Sequence, residues 1–124
     1  MRILLVEDDA NDAELARACL DEAARSGAEI VHAASLAQGL SALAAAEIHL
    51  ILLDLDLPDS SGFETLEKIG AVARGPVIVI TGNPHPALIT EALKRRAYEV
   101  LRKSQLDPRT LMRVVRDAIA ETEN

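Results

Sequence analysis

Two hydrophobic periodicities alternate along the chain. Apolar runs of strand length occur at Arg2–Val6 (RILLV), Glu29–Ala33 (EIVHA), His49–Leu53 (HLILL), Val77–Ile80 (VIVI) and Tyr98–Arg102 (YEVLR). Between and after them lie segments with the helical spacing of apolar residues: Asp12–Arg25, Leu36–Ala46, Gly62–Ala73, Pro86–Arg95 and Pro108–Glu121. Five strands alternating with five helices predict an α/β fold, a parallel sheet covered on both faces through right-handed crossovers. The first, third and fourth runs are the most continuously apolar and suit central, doubly buried strands. The second and last carry polar residues and suit edges.

Local signals mark the helix starts. SLAQ (Ser35–Gln38) and SGFE (Ser61–Glu64) both fit a capping box, and Asp107 before Pro108 reads as an N-cap followed by proline in the first turn. Asp21 and Arg25 stand four apart, a pair that marks a solvated face. Neither linker nor repeat interrupts the pattern, so residues 1–124 read as one domain; the closing ETEN is expected to fray.

Composition narrows the picture. Hydrophobic residues make up 49% of the 124, aromatics only 2%, so the core is aliphatic. A formal charge of −7 argues against nucleic acid and against anionic membranes as partners. No segment resembles a secretory signal or reaches transmembrane length, which points to a cytoplasmic protein. Cys19 is the only cysteine, which excludes an internal disulfide; with Leu15, Ala16, Leu20 and Ala23 it forms a helical stripe and reads as core.

The chemistry gathers at strand ends. In a doubly wound sheet, ligands bind outside the carboxyl ends of the strands. The first strand runs into Glu7, Asp8 and Asp9, the third into Asp54 and then Asp56. With these strands adjacent, Asp8 and Asp9 face Asp54. Such carboxylates repel, so one holds a proton unless a cation joins them; oxygen donors without His or Cys select a hard divalent ion, most naturally Mg2+. The fourth strand brings Thr81 to the same rim and the fifth brings Lys103. A hydroxyl, an ammonium and a cation around one carboxylate suit a transferred phosphoryl group. His32, His49 and His85 do not cluster; His85 alone lies near the rim in sequence.

The set Asp8 and Asp9 in VEDD, Asp54 in LLDLDLPDSSG, Thr81 in ITG and Lys103 in RKS resembles the receiver domain of two-component response regulators from end to end. The resemblance implies a flavodoxin-like strand order 2-1-3-4-5 and a phosphoacceptor switch rather than an enzyme with an external substrate. On this likeness Asp54 takes the phosphoryl group from a histidine kinase or phosphotransfer protein. Mg2+ is held by Asp8, Asp9, Asp54 and the backbone carbonyl of Asp56, while Thr81 and Lys103 meet the phosphoryl oxygens. The Asp56 side chain is placed to tune water access. The signal passes to an output protein by docking, with a homodimer through the fourth helix, fifth strand and fifth helix as a further possibility. There Glu91, Lys94, Arg95, Glu99, Arg113 and Arg116 supply mixed charge.

Three positions depart from the family. Ser104 follows the lysine where a cis proline is common, and the Lys103–Ser104 peptide is expected trans, since cis before a non-proline costs about 3 kcal/mol. Val100 stands where an aromatic switch residue is usual, with Tyr98 expected on the same face two residues earlier. Arg96 replaces a helix-ending glycine; either it adopts a left-handed conformation or the helix ends differently. Two other functions stay open. One is a degenerate receiver that binds partners without phosphorylation. The other is a phosphatase of the haloacid-dehalogenase type, which shares the D-x-D spacing of Asp54 and Asp56 but wants Thr or Val where Pro58 stands.

Overall fold

The computed structural model describes residues 1–82 and 85–122, so Glu123 and Asn124 of the ETEN terminus lie outside the described residues. In chain order the elements are β1 (Arg2–Val6), α1 (Ala10–Cys19), α2 (Asp21–Arg25), β2 (Glu29–Ala33), α3 (Leu36–Ala45), β3 (Leu50–Leu53), β4 (Asp56–Leu57), β5 (Ser60–Ser61), α4 (Gly62–Val72), β6 (Val77–Thr81), α5 (Pro86–Lys94), β7 (Ala97–Arg102), a 3-10 turn (Lys103–Gln105) and α6 (Pro108–Thr122). The large sheet is parallel, in the order β2-β1-β3-β6-β7. That is the expected 2-1-3-4-5, with β4 and β5 added as a short antiparallel hairpin after Asp54.

Alternation along the central strands builds two aliphatic layers. Ile3, Leu5, Leu50, Leu52, Ile78 and Ile80 point to one face, against α1, α2 and α6. Leu4, Val6, Ile51, Leu53, Val77 and Val79 point to the other, against α3, α4 and α5. The period of two in a doubly covered sheet makes every residue of β1, β3 and β6 apolar except at their tips. Cys19 is a core residue, 1% exposed, but Leu15 of its stripe is 43% exposed.

Several local expectations need correction. The first helical segment is two helices: Leu20 (φ −94°, ψ 7°) ends α1 and starts α2, so there are six helices among the described residues. Ser35 caps Gln38 as expected, but the Gln38 side chain accepts from Ala34 N–H rather than returning to Ser35. Ser61 makes no side-chain cap and pairs through its main chain with Asp56 in the hairpin, while Glu64 turns to Lys68 at 2.8 Å. Asp107 does cap α6, accepting from Thr110 N–H at 2.8 Å.

Tyr98 is not on the face of Val100. Between Val77 and Ile78 the β6–β7 register shifts, pairing Val77 with Ala97 and Ile78 with Glu99. The extra residue is a β-bulge, which breaks the period of two. Tyr98 therefore packs on the α1–α6 side and Val100 on the α4–α5 side. Arg96 keeps the left-handed conformation (φ 75°), at a cost of about 1–2 kcal/mol that glycine avoids. No cis peptide occurs among the described residues, so Lys103–Ser104 is trans.

The loop between β4 and β5 is tied to the neighbouring crossover. Asp59 accepts from Leu36 N–H at 2.8 Å and Ala37 N–H at 2.9 Å, the open first turn of α3. The Ala37 and Leu36 amides hold its carboxyl below the ordinary 3.8. A depressed acid contributes stability above its unfolded value and loses it as pH falls through the folded one. Asp59→Ala is therefore expected to lower the urea midpoint at neutral pH, and to lose less than wild type as pH falls below the ordinary 3.8. Parallel midpoint curves for the two proteins would contradict this.

Candidate functional site

Parallel pairing brings the strand tips together. Val6 pairs with Leu53 across β1 and β3, so the residues that follow, Glu7 and Asp54, emerge side by side; Asp54 N–H donates to the Val6 carbonyl at 3.0 Å. One carboxylate oxygen from each of Glu7, Asp8 and Asp54 lies within 4.8 Å of the others. Glu7 and Asp54 are buried, 4% and 5% exposed, while Asp8 faces solvent.

The acid pair facing Asp54 is therefore Glu7 and Asp8, displaced by one residue from the expected Asp8 and Asp9. The carboxylate of Asp9 is engaged elsewhere: it is the N-cap of α1 and accepts from Asp12 N–H at 2.9 Å. Its own N–H donates to Glu7 Oε2 at 3.2 Å. A legible signal existed, since an Asp followed three residues later by another acid before an apolar helix reads as a cap.

Asp54 is held on two sides. Asp56 N–H donates to Asp54 Oδ1 at 3.0 Å, which puts the Asp56 main chain against the carboxylate while its side chain is exposed. Lys103 Nζ lies 3.2 Å from Asp54 Oδ2, 2.8 Å from Glu7 Oε1 and 2.8 Å from Asp12 Oδ2. All three N–H groups of the ammonium thus have a carboxylate in reach. Burial works against the lysine charge, but Asp12, Glu7 and Asp54 outweigh it and hold the group above its ordinary pKa. Glu7 shifts in the opposite sense to most paired acids: burial, then the neighbouring Asp54, push it up to about 7 despite Lys103.

Thr81 ends β6, buried at 5% exposure, in register with Arg102 of β7. Its hydroxyl makes no hydrogen bond to the described residues. His32, near the end of β2, donates from Nε2 to the Glu7 carbonyl at 2.7 Å, whereas His85 caps α5 by accepting from Ala87 N–H. Asp12 and His32 were not singled out from sequence. Asp12 reaches Lys103 across 91 positions, a separation that no local pattern reports.

The donor set fits a hard divalent cation. Three carboxylate oxygens converge, two of the acids are buried, and Glu7 is raised first by burial and then by crowding with Asp54, a crowding that a bound cation relieves. Asp8 leaves the arrangement open toward water.

On the α5–β7–α6 face, much of the expected mixed charge is already engaged within the chain. Arg95 pairs with Glu91 at 2.9 Å and with Glu67 of α4, and lies over the Phe63 ring. Arg113 meets Asp117 at 3.9 Å, and Arg116 meets Glu22 of α2.

A doubly wound parallel sheet in this order, with acids and one lysine at the carboxyl ends of its strands, defines the class of flavodoxin-like α/β proteins with an acidic rim site. Residues 3–116 match the response regulator receiver domain, and the chain belongs to that family, the signalling modules of two-component systems. It is 33% identical over 97 residues to protein-glutamate methylesterase/protein-glutamine glutaminase 2 of Anaeromyxobacter dehalogenans, covering 76% of this chain and 28% of that protein. It is 33% identical over 84 residues to the nitrate/nitrite response regulator protein NarL of Escherichia coli K12, covering 67% of this chain and 38% of NarL. The chain thus spans well under half the length of these curated relatives.

Among solved structures, a CheY-like response regulator receiver domain protein from Methanospirillum hungatei superposes with a TM-score of 0.85 at 29% identity. That match covers 98% of this chain and 95% of the other. A two-component response regulator from Clostridium difficile shares the fold at a TM-score of 0.88 and 22% identity. No helix among the described residues is long and apolar enough to cross a membrane.

Proposed function

We propose that the protein is a phosphoacceptor switch in which Asp54 carries the phosphoryl group. The observation that carries this reading is the position of Asp54: buried, flanked by Glu7 and Asp8, and touched by Lys103 and by the Asp56 amide. Glu7, Asp8 and Asp54 would hold Mg2+, with the Asp56 carbonyl as a main-chain donor. When bound, the ion neutralises acid charge and supports the charge of a transferring phosphoryl group. Asp9 has a capping role and is not among the proposed ligands.

An Asp54 oxygen attacks phosphorus of a phosphohistidine or of a small phosphodonor. The new P–O bond forms as the donor's bond to phosphorus breaks, and the leaving group takes a proton from solvent. Lys103 would follow the phosphoryl oxygens, and the Thr81 hydroxyl would donate a hydrogen bond to one of them. With Val100 on the α4–α5 side and no ring to swing, the output is read through Thr81. Partner docking follows on the α5–β7–α6 face. Because Glu91, Arg95, Arg113 and Arg116 are paired internally, we favour a hetero-partner over symmetric salt bridges.

The test is incubation with acetyl phosphate and Mg2+ followed by intact-mass measurement. Wild type is expected to gain one labile phosphate, and Asp54→Asn or an excess of chelator to abolish the gain. Equal labelling of Asp54→Asn and wild type would overturn the reading; sustained turnover of a generic phosphate ester would favour a phosphatase instead.

A further inference from the structure

Lys103 is held by three acids that are not equivalent. Glu7 and Asp54 belong to the trio that converges on one point; Asp12 does not. Asp12 stands on the first turn of α1, fixed there by its N–H bond to Asp9, and its side chain is 38% exposed. Its oxygen is as close to the ammonium as that of Glu7, at 2.8 Å, and closer than that of Asp54. A divalent charge on the trio would repel a neighbouring ammonium and draw the Glu7 and Asp54 oxygens to itself. What keeps the ammonium in the pocket must then come from outside the trio.

We propose that Asp12 is a positioning residue for Lys103: it anchors the ammonium from outside the trio and retains it within reach of Asp54 when the trio carries a cation. The inference rests on the phosphoacceptor reading of Asp54 and adds to it a residue that acts on Asp54 only through Lys103. The alternative, in which Asp12 draws Lys103 away and restrains the switch, predicts the opposite sign for its removal.

Two measurements decide. In the first, the side-chain ammonium signal of Lys103 is followed by nitrogen-edited NMR during a Mg2+ titration, assigned by its absence in Lys103→Met. Wild type is expected to keep a slowly exchanging signal at saturating Mg2+. Asp12→Asn should show the signal without Mg2+ and lose it as Mg2+ is added. In the second, acetyl phosphate labelling is timed at Mg2+ concentrations that saturate each variant. Asp12→Asn should be slower by about three- to five-fold, the scale of a half-exposed ion pair that no longer holds its cation. That factor should vanish in the Lys103→Met background, since the coupling runs through the lysine.

Should Asp12→Asn fold poorly by urea midpoint, Asp12→Ser is measured in its place. A retained ammonium signal with an unchanged labelling rate overturns the proposal, as does faster labelling. A slower rate that persists in the Lys103→Met background also overturns it, because the effect then does not pass through Lys103. If wild type itself takes no phosphate on Asp54, the phosphoacceptor reading fails, and the ammonium measurement still decides whether Asp12 anchors Lys103.

Discussion

Lys103→Met is expected to slow phosphorylation of Asp54 by about two to three orders of magnitude at saturating Mg2+, the usual loss when a donor aimed at developing charge is removed. Methionine keeps the length and apolar stem of the side chain, so the missing element is the ammonium. Lys103 is the one cationic side chain among the described residues lining the cleft formed with Glu7, Asp12 and Asp54. The same substitution leaves two nearly buried acids facing one another.

In chelator, Lys103→Met should therefore lose stability. A buried pair broken outright costs about 3–5 kcal/mol, but Lys103 is 20% exposed and Glu7, already raised to about 7, can accept a proton. Those two reliefs bring the expected loss to about 1–2 kcal/mol. Added Mg2+ should recover most of it, because the cation replaces the missing charge. Urea unfolding with and without chelator reads this directly; a loss unaffected by Mg2+ would contradict the arrangement described.

The second large effect lies at the opposite end of the sheet. A Cβ on Gly75 would sit 2.2 Å from the His49 carbonyl oxygen and 2.7 Å from its carbon. Neither atom can rotate aside. His49 N–H donates to the Arg2 carbonyl at 2.9 Å and Ile51 N–H to the Pro76 carbonyl at 3.0 Å, so this backbone is anchored to both neighbouring strands. Gly75→Ala is expected to cost about 2–3 kcal/mol, in the overpacking range. For a chain of this size that is roughly a 10 °C fall in Tm. Below its transition the variant should still accept phosphate at the wild-type rate, because residue 75 precedes β6 whereas the acids follow β1 and β3. A Tm within about 1 °C of wild type would show that the close approach at residue 75 is absent.

The contrast between these two ends also explains what the sequence could disclose. Continuous apolar runs made β1, β3 and β6 legible almost to the residue, because a doubly covered strand has no polar position until its tip. The tips then marked the rim, and Asp54 and Lys103 followed from it. The displacement from Asp8 and Asp9 to Glu7 and Asp8 came from three consecutive acids, where the choice depends on which carboxylate the helix claims as its cap. Asp9 is claimed because Asp12 N–H lies three residues on. The bulge at Tyr98 was illegible for a different reason: register between β6 and β7 is a property of the pair, and neither strand alone records it. The Asp12–Lys103 contact is of the same kind, a product of the fold that brings α1 to the end of β7.

Phosphate transfer to Asp54 can be located within the chain. Wild-type protein treated with acetyl phosphate and Mg2+, reduced with borohydride and sequenced by tandem mass spectrometry, should carry homoserine at position 54 and at no other aspartate. Homoserine at Asp8, Asp9 or Asp56, or a phosphate retained on a histidine with Asp54 unmodified, would contradict the account.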